Sequence, residues 1–373
     1  MASLRLLLVS QPTSEGAAIH VASLAAAAVS GGHSVTVACP AGGNLSLWAH
    51  EAGARWVESD LARRPAPSDL THGLRLRRLM AGADVVHLHS SKAGALGRLA
   101  LAGLPRGRRP ACVFTPHAWS WLPGGVAAPL YRSVERALGH VADVIVAVSP
   151  EEAAQGEQAL GARLKGRLRV IPNGVDASRI SPSGPRAERS DAPLLVCVGR
   201  LSRQKGQDVA IAALAHLEAL GRTDVRLRLV GDGPDDERLR RVAADLGVAQ
   251  RVEWTGHAQD PAAQMRAADV VVAPSRWEGM SLALLEAMAC GRPVVATRVG
   301  GASALEGVGV LVDRDDPVGL GAALDRLLAD PEERARLGAA ARQRAQDRYP
   351  LHRCTSANLA LWSELAGRGH PGP

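Results

Sequence analysis

The sequence predicts an α/β protein built from two doubly wound parallel sheets. Short apolar segments alternate with helical segments along the whole chain, as expected for repeated strand–helix–strand units. A segment rich in proline, serine and glycine, Ser181–Pro185, interrupts this alternation near the middle of the chain. The same alternation then restarts, which predicts a second sheet rather than an extension of the first.

The strands predicted in the first half are mostly short apolar runs closed by Pro, Ser or His, typical of strands buried on both faces. They are Arg5–Ser10, Val35–Pro40, Trp56–Glu58, Val85–His89, Ala111–His117, Val144–Ser149 and Arg169–Pro172. Longer segments rich in Ala, Leu or Arg predict the helices between them. These are an Ala-rich helix that ends at Gly31, then Leu45–Gly53, Asp69–Ala81, Ser91–Gly103, Gly125–His140 and Pro150–Gly161.

The second half repeats the pattern. Its predicted strands are Leu194–Val198, Arg226–Val230, Val252–Gly256, Asp269–Pro274, Pro293–Thr297 and Val308–Asp313. Its predicted helices include Asp208–Leu220, Asp235–Leu246, Pro261–Ala268, Leu282–Ala289 and a last one around Leu351–Ala366. The resulting domains are 1–178 and 193–348, with a linker at 179–192. Residues 349–373 form a C-terminal helix that we expect to pack back on the first domain.

Length and charge limit the classes of protein that the chain can be. A chain of 373 residues is long enough for two or three domains, each with its own core. The net charge is +7, and the whole excess lies in residues 1–180, which hold 19 basic and 12 acidic residues against 25 and 25 in residues 181–373. This asymmetry indicates that the first half meets something anionic. Nucleic acid is not a predicted partner.

The cysteines and the apolar segments indicate a cytoplasmic protein. Five cysteines are scattered through apolar runs without metal-binding spacing, which predicts reduced core thiols: Cys39, Cys112, Cys197, Cys290 and Cys354. The apolar run near the N-terminus is too short for the core of a signal peptide. No uninterrupted stretch of about 18 strongly apolar residues predicts a membrane span.

The stretch Ala268–Gly301 carries the strongest chemical signal. It predicts a strand, a loop, the helix Leu282–Ala289 and a second strand, with Glu278 on the loop and Glu286 in the helix. A helix N-terminus offers N–H donors and partial positive charge to a phosphate, and a carboxylate accepts two hydrogen bonds from a vicinal diol. A nucleotide diphosphate sugar carries both phosphate groups and vicinal diols. Solvent-exposed charges without a ligand are the alternative explanation for this pair of carboxylates.

Two glycine-containing loops follow neighbouring predicted strands. The loop Gly199–Gly206 carries Arg200 and Lys205, whose charges suit phosphate oxygens, although the GxxxxGK[ST] motif is absent. Gly231 and Gly233 permit a tight turn that a ligand can approach closely, and a plain strand-to-helix turn is the alternative.

Several histidines and a cluster of aspartates are candidate metal ligands. His87 and His89 lie two apart on a predicted strand and so face the same side, but no third ligand with suitable spacing is evident for zinc. His117 ends a strand and is a candidate for catalysis or for a core position. The run Asp313–Asp316 contains a D-x-D pattern. It is explained by a helix cap at Asp316 and solvated charges, so no metal site is predicted.

Taken together, these motifs resemble the retaining glycosyltransferases of family 4, which have the GT-B fold. The similar segments cover nearly the whole chain: Val85–Gly94, Thr115–Trp119, Val170–Asp176, Gly199–Gly206, Gly231–Gly233 and Ala268–Gly301. The resemblance implies two Rossmann-like domains that face a cleft, the first binding the acceptor and the second the nucleotide sugar.

The resemblance also implies roles for single residues. Glu278 contacts hydroxyls of the donor sugar, Arg200 and Lys205 bind the diphosphate and stabilise the leaving group, and His117 lies near the reacting centre. The implied donor-binding residues are Gly16, Gly231, Gly233, Met280, Ser281, Leu282 and, at the ribose, Glu286. The first-strand loop departs from the family pattern, because it reads Glu15-Gly16-Ala17 where relatives have paired glycines.

The implied reaction moves a sugar from a nucleotide diphosphate sugar to a hydroxyl acceptor, with retention at the anomeric carbon and without metal ion or cofactor. The implied mechanism is front-face attack, in which the departing phosphate takes the acceptor proton. The acceptor is either lipid-linked or a small metabolite. The basic segments Arg75–Arg78 and Arg106–Arg109 lead to the hypothesis of peripheral docking on the anionic inner face of the cell membrane, against a solvated surface and a soluble acceptor.

Three other functions are compatible with a two-domain α/β fold of this kind. A nucleotide-sugar 2-epimerase of similar fold is the alternative enzyme; it would need different carboxylates and histidines in the cleft, and the arrangement of Glu278 and Glu286 does not suggest it. A nicotinamide dehydrogenase would need GxGxxG after the first strand, where the sequence reads Gln11–Gly16 without it. A non-catalytic binder of nucleotide sugars stays open from the residues alone.

Overall fold

A computed structural model gives the fold of the protein and describes residues 3–61, 69–102, 104, 109–161, 166–184, 187–188 and 191–368. The chain forms two compact units. The first consists of Met1–Asn173 and His352–Pro373, and the second of Gly174–Leu351. Sequence analysis places these divisions at 178 and 348, with residues 179–192 as a linker.

The first unit is built on a parallel sheet of seven strands in the order β3-β2-β1-β4-β5-β6-β7. Its strands are β1 (Arg5–Ser10), β2 (Ser34–Cys39), β3 (Arg55–Glu58), β4 (Val85–His89), β5 (Ala111–Thr115), β6 (Val144–Ala147) and β7 (Leu168–Val170). The strand order reverses direction between β1 and β4. Ligands of doubly wound sheets bind at such a switch point, beyond the carboxyl ends of the strands.

Helices cover both faces of this sheet. They are α1 (Glu15–Ser30), α2 (Leu45–Glu51), α3 (Asp69–Met80), α4 (Ser91–Ala102), α5 (Ala128–Leu138), α6 (Pro150–Leu160) and the C-terminal α13 (Leu351–Arg368). The last of these packs Leu361, Trp362 and Leu365 into the core formed by β1, β2 and α1. An ion pair of 2.6 Å between Arg169 and Glu364 adds to this contact.

The second unit has a parallel sheet of six strands in the order β10-β9-β8-β11-β12-β13. Its strands are β8 (Leu194–Val198), β9 (Arg226–Val230), β10 (Val252–Gly256), β11 (Val270–Ala273), β12 (Val294–Thr297) and β13 (Val310–Val312). Its helices are α7 (Gln207–Ala219), α8 (Asp236–Asp245), α9 (Pro261–Ala267), α10 (Leu282–Ala289), α11 (Pro317–Ala329) and α12 (Pro331–Arg348), besides two short 3-10 helices, Ala249–Arg251 and Ala302–Leu305. The switch point of this sheet lies between β8 and β11.

Local sequence sets where several helices begin. Four of them start with a Ser or Asp followed by Pro, and in each the cap side chain accepts a backbone N–H of the first turn. The capped helices are α6 (Ser149), α9 (Asp260), α11 (Asp316) and α12 (Asp330). The helix cap predicted at Asp316 is thus confirmed, with an N···O distance of 2.8 Å to Gly319.

The predicted fold class is confirmed, since both sheets are parallel and carry helices on both faces in Rossmann-like order. The five cysteines are unpaired and buried, as predicted for core thiols. In the described part of the chain, no helix combines the length and apolar character needed to cross a lipid bilayer.

Candidate active site

The second unit brings Lys205 and Glu278 into direct contact. Lys205 lies on the loop after β8 and Glu278 on the loop after β11, so the two residues stand at the carboxyl ends of neighbouring strands. Lys205 Nζ lies 2.5 Å from Glu278 Oε1, and the hydroxyl of Ser275 donates to the same oxygen at 2.9 Å. The side chains are only 21% and 11% exposed. This charge-assisted contact is therefore partly shielded from water, which strengthens it.

Hydrogen bonds join the two loops that carry these residues. Gln204 donates from its side chain to the carbonyl of Trp277 at 3.0 Å, and the N–H of Arg276 donates to the carbonyl of Gln204 at 2.7 Å. Arg200, which is partly buried, follows Gly199, and its carbonyl accepts from Gln207 Nε2 at 2.9 Å. The loop that carries Arg200 and Lys205 is thus held by hydrogen bonds to the loop that carries Glu278.

The predicted helix N-terminus lies beside this contact. Ser281 has extended backbone and caps α10 by accepting the N–H of Leu284 at 3.4 Å, as predicted, while Met280 and Leu282 are buried. A small cavity is lined in part by Lys205, Ser275 and Ser281. The first N–H groups of a helix have no partner within the helix, so this end of α10 is suited to an anion.

Glycines allow the loops of this site to approach one another. Gly231 has φ +133°, and a Cβ at this position would lie 2.3 Å from the carbonyl oxygen of Gly199. A Cβ at Gly233 would lie 2.3 Å from the carbonyl oxygen of Leu201. Both glycines are therefore required for packing of the β9 loop against the β8 loop, whether or not a ligand approaches them.

Glu286 lies in the second turn of α10 and has an unusual protonation equilibrium. Burial raises the pKa of its carboxyl group from 4.5 to about 7, and the negative charge of Asp260 adds to the shift. Glu286 is consequently a mixture of acid and carboxylate near neutral pH. A partly buried carboxyl group with a raised pKa, on a helix whose N-terminus suits a phosphate, is typical of functional sites.

In the first unit, Gly16 and His117 both lie beside residues with left-handed backbone. Glu15 begins α1 with φ +69°, so a glutamate takes the conformation usual for glycine immediately before Gly16. His117 has φ +54° and the next residue, Ala118, has φ +92°. Such backbone is costly for residues with a Cβ and persists where the surroundings hold it in place.

Glu152 holds the strained loop that carries His117. Its carboxylate accepts the N–H of Ala118 at 2.6 Å and that of Val148 at 2.7 Å. Burial raises the pKa of Glu152 to about 7, and these two backbone donors oppose the shift. Sequence reasoning missed Glu152, because nothing in the helix Pro150–Gly161 marks one of its three glutamates as buried.

Four histidines of the first unit lie together. His87 and His89 have ring centroids 4.0 Å apart, which confirms that they face the same side of β4. His89 Nδ1 forms a hydrogen bond of 3.1 Å with His117 Nε2, and His20 of α1 packs edge-on against both His89 and His117. Burial lowers the pKa of His20 to about 4, opposed by a hydrogen bond with Asn173. His20 is therefore neutral at physiological pH.

Burial lowers the pKa of His87, His89 and His117 well below 6.5 as well, with neighbouring imidazoles adding to the effect.

His20 is not among the site residues predicted from the sequence, because the sequence signal for it is weak. His20 lies on the buried face of an Ala-rich helix that follows β1, and a single histidine on such a face is more often a core residue than a ligand.

Models of two protein families match the chain. The model described as "Glycosyltransferase Family 4" matches residues 14–179, and that described as "Glycosyl transferases group 1" matches residues 192–330. A GDP-mannose-dependent alpha-(1-6)-phosphatidylinositol monomannoside mannosyltransferase from Mycolicibacterium smegmatis is 36% identical over 320 residues, covering 79% of this chain and 80% of the relative. A D-inositol 3-phosphate glycosyltransferase from Xylanimonas cellulosilytica is 36% identical over 313 residues, covering 76% and 73%.

Solved structures share the fold at lower sequence identity. Sucrose-phosphate synthase from Thermosynechococcus elongatus superposes with a TM-score of 0.82 at 23% identity, covering 98% of this chain and all of the other. HepE from Anabaena, in complex with UDP and glucose, gives 0.82 at 21% identity, covering 97% of this chain and all of the other.

Proposed function

Because the chain belongs to glycosyltransferase family 4, we propose that it transfers a sugar from a nucleotide diphosphate sugar to a hydroxyl acceptor, with retention at the anomeric carbon. The observation that carries this proposal is the contact of Lys205 with Glu278 beside the N-terminus of α10. The cation and the helix end at this switch point suit the diphosphate, which is also the leaving group, and the carboxylate suits the hydroxyls of the sugar.

The donor would replace protein contacts with its own. Lys205 and Arg200 bind the diphosphate. Glu278, no longer paired with Lys205, accepts hydrogen bonds from hydroxyls of the sugar. Glu286 in its carboxylate form accepts the two ribose hydroxyls, and the N–H groups at Met280, Ser281 and Leu282 bind phosphate and sugar oxygens. Gly231 and Gly233 keep the neighbouring loop close without side chains in the way.

The chemistry would rest on positioning and on charge stabilisation. As the bond from the anomeric carbon to the phosphate oxygen breaks, negative charge grows on the diphosphate, which Lys205, Arg200 and the α10 N-terminus stabilise. The acceptor attacks from the face that the phosphate leaves, and its proton passes to the departing phosphate. The family resemblance assigns His117 a place near the reacting carbon and Gly16 a close backbone approach to the diphosphate. The proposed reaction uses no metal ion or cofactor.

The names of the relatives narrow the candidate substrates. Two of them act on inositol-containing acceptors, and one is GDP-mannose-dependent. We therefore favour a hexose donor such as GDP-mannose and an acceptor that carries an inositol hydroxyl, either lipid-linked or as a free phosphate.

A donor and acceptor screen tests the function. Purified protein is incubated with GDP-mannose, UDP-glucose or related donors, and with phosphatidylinositol or inositol phosphate, and products are identified by mass spectrometry. Lys205→Ala should lower the transfer rate by about 100-fold or more while the protein remains folded, as loss of a group that stabilises transition-state charge does. Arg326→Ala removes an exposed cation of the same unit and serves as the matched control. Wild-type turnover by Lys205→Ala would refute the assigned site.

An alternative that shares the fold is a nucleotide-sugar epimerase. The relatives that cover most of the chain are named transferases, which disfavours it. The same screen separates the two, because an epimerase converts the donor without acceptor and forms no glycoside.

A cytoplasmic enzyme that acts on a lipid-linked acceptor would need to reach the membrane surface. Leu74 and the arginines of the segment Arg75–Arg78 are exposed on α3. The other predicted basic segment, Arg106–Arg109, lies outside the described residues apart from Arg109. We propose that α3 contacts anionic lipid. Co-sedimentation with vesicles should increase with their content of anionic lipid. Sedimentation that does not depend on anionic lipid would end this proposal, and no sedimentation with any vesicle would favour a soluble acceptor.

A further inference from the structure

We propose that His20, His89 and His117 form a binding site for a Zn²⁺ ion. Each residue offers one ring nitrogen, and these three atoms lie within 4.8 Å of one another. The three histidines come from α1, β4 and the loop after β5, so tertiary structure alone brings them together. Neutral imidazole is a preferred zinc ligand, and three histidines are a known set for sites that keep the fourth position open.

The distances fit a metal ion with only small movements. Zn–N bonds of about 2.0–2.1 Å in tetrahedral geometry place two ligand nitrogens about 3.3 Å apart. His89 Nδ1 and His117 Nε2 are already 3.1 Å apart. The third ligand has to approach by about 1.5 Å or less to complete the set, given Zn–N bonds of this length. His20 Nε2 has no hydrogen-bond partner among the described residues, so its rotation breaks no bond at that atom.

The surroundings hold the ligands as the outer contacts of metal sites do. His89 is fully buried on a central strand, and the hydrogen bond with Asn173 orients His20. Glu152 fixes the backbone beside His117. Such contacts orient ligands and support metal affinity. His117 is partly exposed, so the ion and a fourth ligand have access from its side.

The neighbouring His87 packs on His89 but is not part of the three-nitrogen cluster. Its Nε2 forms a hydrogen bond of 2.8 Å with the hydroxyl of Thr115. Metal binding and simple stacking of the histidine rings can be told apart by substitution. If the rings only stack, no histidine should matter for metal binding. If they ligate, loss of one ligand should weaken binding by about 10- to 100-fold or more, since even outer contacts of metal sites have effects of this size.

Titration of the full, untagged and chelator-stripped protein with Zn²⁺, followed by calorimetry, tests the site. We expect one equivalent of Zn²⁺ to bind, His20→Asn to weaken this binding by about 10- to 100-fold or more, and the exposed His140→Asn to leave it unchanged. Co²⁺ should give the visible absorption of a four-coordinate ion. Mg²⁺, which prefers oxygen ligands, should not bind there.

Folding of each variant is checked by circular dichroism. Should His20→Asn misfold, His117→Asn, at the partly exposed ligand, takes its place. The absence of stoichiometric Zn²⁺ binding, or equal weakening in His140→Asn, would overturn the proposal.

One consequence rests on the proposed function. Zn²⁺ at His117 would withdraw this side chain from the substrate, so Zn²⁺ should inhibit transfer reversibly in the wild type. Inhibition should be lost in His20→Asn at Zn²⁺ concentrations that saturate only the wild type. Because the binding titration needs no sugar substrate, it decides on the metal site even if the donor screen finds no transfer.

Discussion

Replacement of Glu286 by Gln should stabilise the protein and at the same time weaken donor binding. The carboxyl pKa of Glu286 is raised from 4.5 to about 7, mainly by burial. At about 1.4 kcal/mol per pH unit, this difference corresponds to about 3 kcal/mol of destabilisation once the group is ionised in the fold. Because the side chain is partly exposed, water screens part of this effect, and we expect about 1–3 kcal/mol.

The sign follows from linkage. A carboxyl whose pKa is higher in the folded state contributes stability below pH 4.5, and this contribution is lost as pH rises through 7. Gln cannot ionise, so Glu286→Gln should unfold at the wild-type temperature near pH 4.5 and above it at pH 8. For a unit of this size, about 1–3 kcal/mol corresponds to a rise of about 2–10 °C.

The assay is thermal unfolding at pH 5, 6, 7 and 8, with donor binding measured on the same samples. The exposed Glu306→Gln is the control and should change the unfolding temperature at no pH. Donor binding should weaken in Glu286→Gln, because an amide accepts hydrogen bonds from a diol less strongly than a carboxylate. A lower unfolding temperature than wild type at pH 8 would refute the reasoning, since it would show that the carboxylate stabilises the fold.

Three further predictions concern buried charges. Lys205→Ala and Glu278→Ala should show a coupling free energy of about 1–2 kcal/mol in a double-mutant cycle of urea unfolding, because their contact is partly shielded; additive effects would contradict it. Glu152→Gln should reduce the loss of stability between pH 5 and 8. Burial raises the pKa of Glu152 to about 7, so the favourable contribution of its protonated form disappears as pH rises through that value. Thermal unfolding as a function of pH measures this, and an unchanged slope would contradict it. Glu135→Ala should destabilise by about 3–5 kcal/mol in urea unfolding, because it leaves the fully buried Arg98 without its partner at 2.7 Å; a loss below about 1 kcal/mol would be inconsistent with an uncompensated buried charge.

The fold was predictable because its signals are local. Apolar runs of four to six residues, closed by turn formers, mark strands buried on both faces, and β11 and β12 follow this pattern. Helix starts are also local, as the caps at Ser281 and Asp316 show, since a cap side chain reaches only two or three residues along the chain.

The approximate location of the site was predictable, because it follows from the strand order of the parallel sheet. Parallel strands end at one edge, so the loops after β8 and β11 had to be neighbours once the strand order was known. The contact between Lys205 and Glu278, which lie 73 residues apart, depends on side-chain packing that no local pattern reports. The same holds for His20 and Glu152, whose surroundings come from distant strands and loops.

The Lys205–Glu278 contact explains how a polar site can be stable before its substrate arrives. A partly buried lysine and a partly buried carboxylate would each be costly alone, and they satisfy one another at 2.5 Å with Ser275 as a further donor. In the proposed function a nucleotide sugar brings the opposite pair of groups, a phosphate for Lys205 and hydroxyls for Glu278. Binding then exchanges one set of charge-assisted hydrogen bonds for another, so both ends of the donor are needed to replace the contact that is broken. A bare nucleoside diphosphate would free Glu278 without giving it new donors, so on this proposal the site should bind the intact nucleotide sugar more tightly than the nucleoside diphosphate.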